Sequence, residues 1–165
     1  MPRIVIIGPP GSGKTTVGRA LASALGTGFR DTDEDIVTAQ GKPISDIFIE
    51  DGEEHFRALE RAAVARALAE HDGVLALGGG SILAAETREL LAGQTVVYLK
   101  IGLSAAVERV GLATARPLLV LNPRSQLRKL MEERRPLYEG LATLIVAADE
   151  GTPEELAAKI VKDLG

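Results

Sequence analysis

Residues Gly8 to Thr15 read Gly-Pro-Pro-Gly-Ser-Gly-Lys-Thr and fit the pattern G-x-x-x-x-G-K-[ST]. No other stretch of the chain limits its fold as strongly. Four linker residues wrap a loop around an anion so that several backbone N–H groups point inward. Glycines let that backbone approach closely and take positive φ. A helix beginning after Gly13 would aim its positive end at the same anion. Lys14 can reach β- and γ-phosphates, and the Thr15 hydroxyl can be offered to Mg²⁺. The loop is preceded by Ile4-Val5-Ile6-Ile7, a β-branched run of strand character. It is followed by apolar residues at helical spacing, Val17, Ala20, Leu21, Ala24 and Leu25, which end at Gly26. A glycine-rich turn before a helix would be the bland explanation. At this composition the pattern would arise by chance in about one sequence in a hundred.

The rest of the chain alternates in the same manner. Short strands are expected at 29–31, 74–77, 95–99 and 144–147. Helices are expected at 33–40, 44–50, about 53–69, 84–92, 104–110, about 124–139 and from Pro153 to the end. Most strands are continuous apolar runs rather than alternating ones, which predicts a parallel sheet covered on both faces. The expected fold is therefore a three-layer α/β/α domain of the P-loop class with a five-stranded parallel sheet. At 165 residues the chain suits one domain spanning 1–165. It has no cysteine, so neither disulfides nor thiolate metal sites arise. A net charge of −4 argues against a general nucleic-acid surface. No window approaches the roughly 20 apolar residues of a membrane span. A cytoplasmic monomer acting on small molecules is the expectation.

The metal-binding carboxylate has to be sought. A large motor ATPase would carry an acid after a second apolar strand, but Val74 to Leu77 runs into Gly78-Gly79-Gly80. A guanine-reading Asn-Lys-x-Asp is also missing, since Pro123 follows the only asparagine, Asn122. Asp31 and Asp33 end the expected second strand, and strand C-termini gather at the ligand edge of a parallel sheet. Separated by Thr32, they would share a side of an extended chain. One would serve Mg²⁺ and the other the substrate. Alternatively, Asp33 would be only the N-cap of the following helix.

In this ordered set the chain resembles the shikimate kinases. The resemblance rests on GPPGSGKTTVGR from Gly8, DTD at Asp31 to Asp33 and GEEHFRALE from Gly52 to Glu60. It continues through LGGGS at Leu77 to Ser81, RPLL from Arg116 and RRPLY from Arg134. It implies ATP-dependent phosphorylation of the 3-hydroxyl of shikimate, a step toward chorismate and the aromatic amino acids. It further implies ATP contacts from Gly11, Ser12, Gly13, Lys14, Thr15 and Thr16, with Mg²⁺ at Thr15 and Asp31. Asp33 is implied to bond the substrate hydroxyls and to be a candidate base. Arg57 and Arg134 are implied to grip the carboxylate, and Gly78, Gly79 and Gly80 to present backbone N–H groups. Arg116 would reach ATP phosphates from a mobile lid at about 111–123, and Arg109 would contribute to the nucleotide site from the lid's entry helix. Lys14, Asp33 and Arg116 form the implied catalytic set.

Chemistry agrees with these roles. Planar guanidinium groups suit a carboxylate, and carboxylate oxygens suit hydroxyls. Arg57 could instead pair on its own helix with Glu53 or Glu60. Arg134 and Arg135 face different ways on a helix, so only one can point inward. One departure from the family is the acidic stretch Ala148 to Pro153, where a basic residue is usual near the adenine. Two other functions compete. A gluconate kinase would take another hydroxylated acid, and a nucleotide-binding regulator would bind ATP without turnover.

Overall fold

A computed structural model describes residues 2–102 and 123–165. The helix expected at 104–110, the lid at 111–123 (save Pro123), Arg109 and Arg116 lie outside the described residues. The elements run β1 (Ile4–Ile7), α1 (Lys14–Leu25), β2 (Phe29–Asp31), α2 (Thr32–Gln40), α3 (Ile44–Asp51) and α4 (Glu53–Glu70). They continue with β3 (Val74–Ala76), a 3₁₀ turn (Ser81–Leu83), α5 (Ala85–Leu91) and β4 (Val96–Lys100). The last three are α6 (Pro123–Leu141), β5 (Leu144–Ala147) and α7 (Pro153–Leu164). These bounds fall within two residues of those expected. The third strand stops at Ala76 because the chain turns into the glycines.

The sheet has five strands in the order β2-β3-β1-β4-β5. Every pairing is parallel, with Ile6 beside both Ala76 and Val97, and Asp31 beside Ala76. The central strands are continuous apolar runs because each face has its own core. Ile4, Ile6, Val97 and Leu99 pack with Val17 and Leu21 of α1 and Leu156 and Ile160 of α7. Val5, Ile7, Leu75 and Tyr98 pack on the opposite face with Val64 and Leu68 of α4, Leu91 of α5 and Tyr138 of α6. Alternate residues of one strand thus feed different cores, as the two-residue period requires. Helix α6 serves both, with Leu130 and Met131 toward the first core and Leu137 and Tyr138 toward the second.

A smaller third cluster joins Ile36 of α2, Ile47 of α3 and Phe56 of α4. Phe48 meets Phe56 there with ring centroids 4.8 Å apart. Parallel pairing brings the carboxyl ends of β1, β2 and β3 to one edge. The phosphate loop, the Asp31–Asp33 segment and the triple glycine therefore arrive side by side.

Candidate active site

The loop after β1 leads directly into α1. Gly13 is the N-cap at φ +88°, a left-handed conformation natural to glycine, and no side chain caps the helix. The first turn also lacks an acid, so its N–H groups remain directed at an incoming anion. Lys14 Nζ donates to the carbonyls of Gly8 and Pro9 at 2.9 and 3.0 Å, which folds the cation back over the loop. Ser12 is buried, and its Oγ has no hydrogen-bond partner among the described residues.

Thr15 Oγ1 donates to Asp31 Oδ2 at 2.8 Å, and Asp31 Oδ1 accepts from the Asp33 N–H at 2.8 Å. Asp31, not Asp33, is therefore the N-cap of α2. This also revises how the two acids come together. The chain turns helical at Thr32, so a cap geometry rather than strand alternation relates them. Capping occupies Asp31 and leaves the Asp33 carboxylate directed at the glycine turn. A Cβ built on Gly78 would lie 2.5 Å from Asp33 Oδ1 and 3.1 Å from Glu60 Oε2. A side chain at this position would push the Asp33 carboxylate out of place.

The turn itself is held from several sides. The Gly78 N–H donates to Thr32 Oγ1 at 3.3 Å, and Ser81 N–H donates to the Gly78 carbonyl at 3.0 Å. Tyr138 Oη donates to the Gly79 carbonyl at 2.5 Å. The N–H groups of Gly79 and Gly80 make no hydrogen bond among the described residues, although both residues are buried. Buried backbone donors are nearly always satisfied, so these two are suited to a ligand.

Arg57 lies against this turn, and a Cβ on Gly80 would sit 2.7 Å from the Arg57 guanidinium carbon. Arg57 Nη1 donates to Glu60 Oε1 at 2.9 Å, and Nη2 reaches Glu53 Oε1 at 3.5 Å. The helix-surface pairing weighed from sequence is thus present. It coexists with a place at the site, because Glu60 is only 2% exposed and faces the glycines. Arg134 is 5% exposed, while its neighbour Arg135 is exposed. Arg134 stands one helical turn before Tyr138, so both occupy the α6 face that meets Gly79.

Beside the loop, Ser12, Gly13 and Thr16 share a cavity of about 260 Å³ with Ala148, Gly151, Pro153 and Leu156. Thr152 caps α7 there in a reciprocal capping box with Glu155, which fixes the rim. The acidic stretch therefore contributes small and apolar residues to this cavity. Sequence reasoning passed over Pro10, Thr32, Glu60 and Tyr138 as site residues. An acid three residues after Arg57 was the available signal for Glu60. Pro10, Thr32 and Tyr138 lay inside the loop, DTD and RRPLY motifs, but nothing local marked them as contacts of the glycine turn.

Thr15 and Asp31 supply one hydroxyl and one carboxylate oxygen beside the loop. Such a set suits Mg²⁺, which takes one or two carboxylates, keeps waters and shares phosphate oxygens. Among the described residues no group of three or more His, Cys, Asp or Glu could hold a metal on its own. None of the described helices is long and apolar enough to cross a membrane.

A protein-family model described as shikimate kinase matches residues 10–165. A shikimate kinase of Streptomyces coelicolor is 64% identical over 94% of this chain and 91% of its own length. One from Salinispora tropica is 61% identical over 96% of this chain and 95% of its own. A solved shikimate kinase from Acinetobacter baumannii, in complex with shikimate, superposes with a TM-score of 0.95 at 39% identity. That match covers 99% of this chain and 93% of the other. The Aquifex aeolicus shikimate kinase gives 0.86 at 33% identity, covering 99% and 96%.

Proposed function

The chain belongs to the shikimate kinase family, and on that premise we infer that it transfers the γ-phosphoryl group of ATP to the 3-hydroxyl of shikimate. The products are ADP and 3-phosphoshikimate. One observation supports this reading above the rest. An unbroken series of contacts runs from Thr15 through Asp31, Asp33, Gly78, Glu60 and Arg57 to Gly80. It joins a phosphate-binding loop to a glycine turn around which two carboxylates and a guanidinium gather. Shikimate has the matching pattern of hydroxyls and one carboxylate. The solved A. baumannii relative is itself in complex with shikimate.

Each residue then has a role. The loop from Gly11 to Thr16 holds the ATP phosphates, and Lys14 leaves its loop carbonyls to follow the β- and γ-phosphates. Thr15 and Asp31 would hold Mg²⁺, which would neutralise phosphate charge there. Arg57, Arg134 and the N–H groups of the triple glycine orient the shikimate carboxylate. Asp33 accepts hydrogen bonds from the hydroxyls and takes the proton of the 3-hydroxyl. That oxygen bonds to the γ-phosphorus as the bond to the β–γ bridging oxygen breaks, and the leaving electrons stay on ADP. Positioning and fixed charge carry the catalysis, and no phosphoenzyme forms. The cavity at Thr16 and Gly151 is the adenine side of the site.

On the resemblance alone, Arg116 is assigned to the transferring phosphate and Arg109 to the nucleotide. Residues 1–165 are read as one catalytic unit with a lid at about 111–123, acting as a cytoplasmic monomer. An ADP-release assay with shikimate, gluconate and a panel of nucleoside monophosphates tests the whole reading. Turnover should require shikimate. Faster turnover of gluconate would replace the substrate, and ATP binding with no turnover would leave a nucleotide-binding regulator.

A further inference from the structure

Gly79 is held between two elements that come from opposite ends of the chain. On one side is the phosphate loop, where a Cβ on Gly79 would lie 2.9 Å from Pro10 Cδ. On the other is α6, where the Tyr138 hydroxyl donates to the Gly79 carbonyl at 2.5 Å. Tyr138 is 1% exposed, and its ring stacks on Tyr98 of β4 with centroids 5.0 Å apart and 20° between planes. The phenol is therefore anchored by the sheet before it meets the turn.

Planarity of the peptide gives this bond a consequence. In a trans peptide the carbonyl and the following N–H lie in one plane and point in opposite directions. Drawing the Gly79 carbonyl toward α6 thus turns the Gly80 N–H away from α6. That N–H makes no hydrogen bond among the described residues, and Gly80 is the residue against which the Arg57 guanidinium rests. Two successive glycines have wide conformational freedom, so their shared peptide needs a constraint from outside the turn.

We propose that Tyr138 is a positioning residue whose hydroxyl sets the Gly79–Gly80 peptide plane and so aims the Gly80 donor at the substrate carboxylate beside Arg57. This role rests on the shikimate reading above. It also explains why one helix carries both Arg134 and Tyr138. With a single turn between them, the arginine and the backbone donor are registered by the same rigid piece.

Tyr138→Phe keeps the stacked ring and removes the hydroxyl. The KM for shikimate should rise about ten-fold, the scale of one hydrogen bond to a bound group. The KM for ATP and kcat should stay within about two-fold, as expected when only substrate positioning is lost. Tyr98→Phe leaves the Gly79 bond in place and should keep the wild-type shikimate KM. An unchanged shikimate KM in Tyr138→Phe overturns the role. So does a parallel rise in both KM values, which marks general loosening. Wild-type turnover in the same assay separates the substrate from the positioning role. A wild type that ignores shikimate overturns the substrate and this role together, whereas a working wild type with an indifferent Tyr138→Phe overturns the role alone.

Discussion

Thr15 Oγ1 donates a 2.8 Å hydrogen bond to Asp31 Oδ2, joining the first turn of α1 to the last residue of β2. The other oxygen of the same carboxylate caps α2. One side chain therefore braces the Thr15 hydroxyl proposed to meet Mg²⁺ and starts the helix that carries Asp33. Asp31→Asn separates these duties, because asparagine caps helices as well as aspartate does. The fold should survive with its thermal midpoint within about 2 °C. Activity at limiting Mg²⁺ should fall by on the order of 100-fold, and added Mg²⁺ should recover part of it. An unaltered Mg²⁺ titration curve would place the metal elsewhere.

Lys14→Ala and Asp33→Asn should each remove most activity while circular dichroism and the melting curve stay close to wild type. A cation aligned with transferring phosphate oxygens is worth roughly 100-fold or more in rate. Full activity in Asp33→Asn would exclude that carboxylate as the proton acceptor.

Two neighbouring glycines should respond differently to alanine. At Gly80 the new methyl meets the far end of Arg57, a long side chain able to move aside. Gly80 has φ −94°, so alanine brings no backbone strain. Shikimate KM should rise about ten-fold or more with little change in ATP KM. At Gly79 the methyl meets the Pro10 ring of the phosphate loop. Both KM values should then rise. Steady-state kinetics with each substrate varied in turn distinguishes the two variants, and identical profiles would contradict the geometry.

Burial pushes the Tyr98 phenol above its ordinary pKa of 10.0, with the nearby Arg135 charge opposing and Glu139 assisting. A raised folded-state value means that the associated stability is complete below pH about 10 and is lost as pH rises through the shifted value. The chain has two tyrosines, so Tyr138→Phe leaves Tyr98 as the sole phenol to follow. Its phenolate absorbance should appear above the ordinary range and coincide with loss of structure. Titration at or below the ordinary value in a still-folded chain would contradict the burial.

Much of the candidate site was legible in the sequence. A lysine and threonine after a glycine loop, flanked by a β-branched run and a helical period, can be recognised within about twenty residues because each signal is local. The continuous apolar strands likewise implied a doubly covered parallel sheet, and the bounds of β2 and β5 follow from their composition. The family motifs extended that reading to Arg57, Gly78–Gly80 and Arg134.

Contacts across the fold were beyond such signals. Whether Asp31 or Asp33 capped α2 depended on where the strand stopped, a difference of one residue. Glu60 looked like a surface partner of Arg57 until the packing of α4 buried it. Thr32 reaches Gly78 across 46 residues, and Tyr138 reaches Gly79 across 59. Sequence determined the phosphate loop, the order of elements and the residue types able to hold a hydroxylated acid, because period and turn chemistry act over a few residues. Tertiary structure alone decided the strand order, the cap and the grip of α6 on the glycine turn. Those depend on parallel crossovers that bring distant segments to one sheet edge, and no local pattern encodes which atoms then touch.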